Sequence, residues 1–154
     1  MDLILWRHAE AHDEAPEGDL ARALTPRGHK QAERMAHWLN QRLPHRLRVL
    51  ASPAVRAQQT AAALERKFRT VDALGPDSDV QALLQAARWP DGSEPVLVVG
   101  HQPTLGHAVA WLLGGVGDAS WSIRKGGVWW LRRRPERDGS AQTLLMAAIS
   151  PELL

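Results

Sequence analysis

Apolar and polar positions along the chain alternate between short unbroken runs and stretches of helical spacing. Residues 2–6, DLILW, form a short apolar run that stops at Arg7-His8 and predict a buried strand. Residues 10–24 have no period and hold Pro16, Gly18 and several acids, which predicts a loop. Thr25-Pro26 then reads as a helix start, with Thr as N-cap and Pro at the first helical position. Ala32, Met35, Ala36, Leu39 and Leu43 recur at helical spacing before Pro44. A second short strand is expected at 47–51, followed by the same cap-then-Pro signal at Ser52-Pro53. Ala57, Thr60, Ala61, Leu64 and Phe68 give the next helix its inner face. The stretch 70–78 reads as turn or loop, 79–89 as a short helix, and 90–95 as a turn-rich connector. Residues 96–99, VLVV, carry the clearest strand signal in the chain. They run through Gly100-His101-Gln102-Pro103 into a helix with Leu105, Val109, Leu112 and Leu113 inward and Gly114-Gly115 as its cap. Strands at 127–133 and 142–149 flank the loop PERDGS as a hairpin would. No repeat or linker interrupts residues 1–154, so a single α/β domain is expected.

Composition narrows the chemistry. The 154 residues include seven Trp, one Phe, and neither Cys nor Tyr. That length allows a sizeable core without staples. Zero Cys removes disulfides, thiolate metal sites and a Cys nucleophile, and it fits a reducing, cytoplasmic setting. The start, MDLILWRHAE, is no signal peptide, and the longest apolar stretch, 108–116, is far short of a membrane helix of about 20 residues. A pI of about 9.7 suggests nucleic-acid binding, yet the formal net charge is only +2. With no Tyr or Cys to titrate, a small positive excess survives until the lysines lose protons near ~10.4. No nucleic-acid partner is therefore expected. Only three of the 19 basic residues are Lys; the rest are Arg, whose planar fork suits carboxylate and phosphate.

One local pattern occurs three times: an apolar strand runs into a polar cluster. Arg7-His8 ends the first strand, Arg56 lies in the first turn after the second, and His101 ends the third. Ligands of parallel α/β sheets bind beyond the carboxyl ends of the strands, where helix N-termini also offer free N–H groups. Two arginines, two histidines and two helix starts at one sheet edge make an anion site, and phosphate is the anion they serve best.

The stretches LWRHAEA, RALTPRGHKQA, SPAVRAQQT and VVGHQP, in that order over residues 3–103, resemble the histidine phosphatase superfamily, the phosphoglycerate mutase-like group. Spacing and the short chain resemble most its SixA-like phosphohistidine phosphatases. The resemblance implies a three-layer α/β/α sandwich with a mostly parallel central sheet. It also implies a metal-independent phosphatase without cofactor. His8 would be the nucleophile, transiently phosphorylated, while Arg7, Arg56 and His101 hold the phosphoryl oxygens. A protonated His101 would add a full positive charge. The family glycine after the nucleophile is Ala9 here, tolerable unless the backbone needs a positive φ. Larger members carry an acidic proton donor on an inserted segment; residues 61–99 leave no room for a lid domain and show no matching acid. That lack favours a good leaving group, the imidazole of a phosphohistidine on a histidine-phosphotransfer domain or phosphocarrier protein.

Asp19 and Arg22 form a DxxR pair that SixA-like sequences share, and both are expected to line the pocket mouth and contact substrate. Asp19 is either an aid to proton transfer or one half of a local salt bridge; Glu10 and Asp13 are weaker candidates for the proton. Asp77 and Asp79 are expected to cap a helix. Trp38 and Trp111 are expected in the core or partly buried, and one of Trp129 and Trp130 exposed on the hairpin. Arg132, Arg133 and Arg134 read as solvated charges. The other histidines show no metal-ligand spacing, so no metal is expected. Two other functions compete: a small-molecule phosphomonoesterase or mutase, and a catalytically silent phosphoprotein-binding module.

Overall fold

A computed structural model describes residues 1–115 and 119–154; the Val116 end of the apolar stretch 108–116 lies outside the described residues. Six strands form one sheet in the order β3-β2-β4-β1-β5-β6. β1 (Asp2–Arg7), β2 (Arg48–Ala51), β3 (Arg69–Thr70) and β4 (Val96–Gly100) run parallel. The hairpin of β5 (Val128–Pro135) and β6 (Ala141–Ile149) closes the other side antiparallel to β1. Helices α1 (Pro26–Asn40) and α2 (Val55–Ala62) pack on one face, α3 (Val80–Ala87) and α4 (Thr104–Gly114) on the other. This is the expected mostly parallel three-layer α/β/α sandwich, and the described residues include no lid domain.

Strand alternation explains the two cores. Ile4, Trp6, Val49, Ala51, Leu97 and Val99 point to α1 and α2, while Leu3, Leu5, Leu50, Val96 and Val98 point to α3 and α4. Because β1, β2 and β4 are covered on both faces, their sequences are continuous apolar runs rather than alternating ones. Among the described residues no helix is long and apolar enough to cross a membrane.

The helix signals divide. Thr25 Oγ1 accepts from the Gly28 N–H, Asp79 Oδ1 accepts from the Ala82 N–H, and Gly115 caps α4 at φ +67°. Asp77 caps no helix. Ser52 does not cap α2 either, whose N-cap is Ala54 without a side-chain bond. α2 also ends at Ala62, well before Phe68; Glu65 turns the backbone at φ +55°, and Leu64 and Phe68 reach the core from the following loop. Within the stretch expected to be turn or loop, Thr70 belongs to β3, an exposed edge strand too short to carry a periodic signal.

The tryptophans depart from expectation too. Trp111 is 50% exposed, whereas Trp130 is buried and Trp129, on the opposite face as expected, is partly buried. Trp130 donates to Asp2 and Trp129 stacks edge-on with Trp121, ring centroids 5.2 Å apart. Arg132 is not merely solvated: it grips both oxygens of Asp2 at 2.7 and 2.8 Å.

Candidate active site

The strand order brings β2, β4 and β1 side by side, so Ser52, His101 and His8 follow three adjacent carboxyl ends. His8 and His101 face each other with ring centroids 5.1 Å apart, both almost fully buried. Arg56 enters from the first turn of α2, and Arg7 from the end of β1.

Hydrogen bonds settle the state of His8. Its Nδ1 lies 2.7 Å from the Ala9 carbonyl, which only accepts, so Nδ1 carries the proton and Nε2 the lone pair. Burial, then the nearby His101, Arg56 and Arg7, lower its pKa to about 3 despite that bond. The ring is a neutral base with Nε2 free to attack. Ala9 itself has no positive φ, so a residue with a Cβ fits there; its N–H donates to Thr60 Oγ1.

His101 is held by Ser52, whose place before Pro53 predicts a helix cap. Ser52, wholly buried, places Oγ 2.7 Å from His101 Nε2 and accepts from the Ala54 N–H. Among the described residues the only acceptor in reach of the Ser52 hydroxyl proton is that Nε2, which leaves the ring proton on Nδ1. Burial and Arg56 push His101 down to about 4, so at rest it is a neutral donor and adds no full charge. A serine directly after a strand, facing a histidine after the neighbouring strand, is visible only once strand order is known.

Arg7 Nη1 donates to the Ile123 carbonyl at 2.8 Å, and Arg56 Nη1 to the Asp19 carbonyl at 2.9 Å. Their Nε atoms, together with His101 Nδ1, are the buried side-chain nitrogens or oxygens that find no partner among the described residues. Buried donors are almost always paired, so three orphans on three neighbouring residues are an unusual feature, one that a bound anion would satisfy.

Asp19 and Arg22 sit at the mouth as a pair. Arg22 Nε lies 3.0 Å from Asp19 Oδ1 and Nη1 donates to the His12 carbonyl, while Asp19 Oδ2 accepts from Arg56 Nη2 at 3.2 Å. Both partners hold the Asp19 carboxyl below the usual carboxylate range, Arg22 first. It therefore orients Arg56 as an acceptor and is poorly suited to give up a proton. Glu10 accepts from Thr25, and Asp13 is exposed. The loop 10–24 is pinned by Gln59, whose side chain accepts from the Leu24 N–H, and by the Ala11–Leu24 bridge. Among the described residues no group of three His, Asp or Glu is placed to hold a metal ion.

Comparison with known proteins gives the family. A model of the histidine phosphatase superfamily (branch 1) matches residues 3–74. The phosphohistidine phosphatase SixA homolog of Haemophilus influenzae is 34% identical over 129 residues, 74% of this chain and 78% of that protein. Phosphohistidine phosphatase SixA of Escherichia coli is 35% identical over 124 residues, 75% of this chain and 76% of that protein. A solved structure of the protein histidine phosphatase SixA complexed with tungstate superposes with a TM-score of 0.80 at 28% identity, covering 99% of both chains.

Proposed function

The chain belongs to the histidine phosphatase superfamily, as one of its SixA-like phosphatases, and we propose that the phosphoryl group it removes is carried by a histidine of another protein. The observation that carries this reading is the trio of unpartnered buried nitrogens, Arg7 Nε, Arg56 Nε and His101 Nδ1, beside a His8 whose Nε2 is unprotonated. His8 Nε2 gives its lone pair to phosphorus as the bond from phosphorus to the substrate's imidazole nitrogen breaks. The leaving ring, already protonated by solvent on its other nitrogen, keeps that electron pair and departs as neutral imidazole. Water then attacks phospho-His8, inorganic phosphate leaves, and the imidazole returns. Through both steps the two guanidinium groups and the His101 N–H hold the non-bridging oxygens, where charge is concentrated.

The substrate class follows from what the mouth supplies. An alkoxide leaving group needs a positioned acid, typically worth ~10²–10⁴ in rate. Asp19, the carboxylate that touches Arg56, is held ionised between Arg22 and Arg56. A protein-borne imidazole leaves without such an acid, and a site without a lid admits a folded partner such as a histidine-phosphotransfer domain or phosphocarrier. A cytoplasmic setting goes with this reading.

The test is phosphate release from several phosphohistidine proteins, with His8→Ala as control and a panel of sugar phosphates and phosphoglycerates alongside. Turnover of the phosphoproteins that vanishes in His8→Ala is expected. Much higher kcat/KM on a metabolite would make the protein a small-molecule phosphatase instead. Failure to form an acid-labile phosphoenzyme would leave a binding module.

A further inference from the structure

Two grooves of opposite charge flank the phosphoryl site along the sheet edge. On the β1 side a groove of about 310 Å³ shares Arg7 with the site and is lined by Arg27, Arg124 and Lys125. Its two carboxylates neutralise it only in part: Glu10 is 4.0 Å from Arg27, and Glu152 is 4.0 Å from Arg124. Glu10 is also occupied by the Thr25 hydroxyl. Four cations against two carboxylates leave this side positive. Arg27 and Arg124 are about 70% exposed, free to meet a partner.

On the β2 side a groove of about 580 Å³ reaches the site through Pro53, next to Ser52, and Leu20, next to Asp19. Its charges are Asp72, Asp77 and Asp79, all exposed, and none of them joins an ion pair among the described residues. Leu20, 52% exposed, adds an apolar edge between these carboxylates and the catalytic arginines. The separation follows from topology. The acids lie on the segment after edge strand β3, the bases at the start of α1 and just before β5, and the β2-β4-β1 ends carrying the chemistry lie between.

A small phosphate ester cannot reach both grooves at once; a folded surface presented to the site covers both. We propose that these grooves form one polarised docking surface for the phosphohistidine protein, an inference that rests on the function proposed above. The partner presents acidic side chains on the flank of its phosphohistidine that meets Arg27, Arg124 and Lys125. On the other flank it presents basic side chains that meet Asp72, Asp77 and Asp79. Opposed charge of this kind orients a partner and speeds encounter more than it adds affinity.

Two phosphorylated histidine-phosphotransfer domains test this, one with acidic and basic flanks in the matching sense and one with them exchanged, beside free phosphohistidine. The enzyme is compared with R124E/K125E and with R124E/K125E/D72K/D77K; Asp79 is spared because it caps α3. Expected is a kcat/KM at least about tenfold higher for the matching domain, falling steeply with salt. The double variant should lose about tenfold on that domain through KM, with kcat and free phosphohistidine turnover unchanged. The fourfold variant should prefer the exchanged domain. Equal kcat/KM for both domains would overturn the inference, as would variants that lose free phosphohistidine turnover in parallel. A wild-type enzyme that hydrolyses free phosphohistidine but neither domain also refutes the docking surface. Inactivity on all three removes the proposed function as well.

Discussion

Acidification should cost this fold stability well before its carboxylates protonate, because two imidazoles are buried uncharged. His8 has its pKa lowered to about 3 and His101 to about 4, against 6.5 in an unfolded chain. Between pH 6.5 and those values the unfolded state binds protons that the folded state refuses. Stability therefore falls as pH falls through this window and levels off below it. Each group contributes ~1.4 kcal/mol per pH unit. At pH 5, one and a half units below the unfolded value, that is about 2 kcal/mol per histidine and about 4 kcal/mol for the pair. For a domain of this size the melting temperature should drop by roughly 10 °C between pH 7 and pH 5. Urea denaturation of wild type and of His8→Asn/His101→Asn at both pH values gives the measurement. The double variant, lacking both rings, should lose several kcal/mol less on acidification. Equal losses in the two proteins would refute the assignment of neutral, buried imidazoles.

Three further outcomes are expected. Ser52→Ala frees the His101 ring to turn and to exchange its proton between nitrogens, so kcat should fall by roughly tenfold, the worth of one buried hydrogen bond, with the far-UV spectrum unchanged. Asp19→Asn keeps an oxygen beside Arg56 but no acid; kcat should fall less than about tenfold, whereas a true proton donor would cost ~10²–10⁴. In Gly106→Ala the new Cβ would run into the Trp121 carbonyl, displacing the segment whose Ile123 carbonyl anchors Arg7. A loss of about 1–3 kcal/mol in urea titration together with reduced kcat is expected, and a fully active, equally stable variant would show that this segment does not position Arg7.

What was legible in the sequence was whatever depends on near neighbours along the chain. Thr25 before Pro26, Asp79 before an apolar run and Gly115 after one are capping signals that act within four residues, and each does what its position predicts. The apolar runs of β1, β2 and β4 were equally plain, since burial on both faces demands them. Ser52 was misread for the same reason. A serine before a proline looks like a cap locally, and only the β2-β4 pairing brings it to His101. Leu64 and Phe68 kept helical spacing without helix because the core needs apolar atoms there, not helical backbone. Trp111 was expected in the core or partly buried because it lies within an amphipathic helix; it is half exposed. The inner face of α4 is already filled by Leu105, Ala108 and Val109, which leaves the indole at the surface.

The site's chemistry follows from a division of labour that the fold imposes on similar residues. Both histidines are buried beside the same arginines, and both are neutral, yet their ring protons sit on corresponding atoms for different reasons. A carbonyl, which can only accept, forces the His8 proton to Nδ1 and leaves the lone pair on Nε2, as the proposed nucleophile needs. A hydroxyl, which here has one acceptor in reach, donates to His101 Nε2 and keeps the proton on Nδ1 as a donor. Two identical side chains thereby become a base and a donor with no difference in charge, and only their backbone and serine neighbours distinguish them. The arginines are divided in the same way. Asp19 and the Ile123 carbonyl take up guanidinium nitrogens at the outer ends of Arg56 and Arg7, and each Nε is left without a partner among the described residues, the place the proposed function gives to the phosphoryl oxygens. A carboxylate at the mouth of a phosphate site repels the ligand; here that cost is offset by an Arg56 already held in position, with less side-chain entropy left to lose on binding.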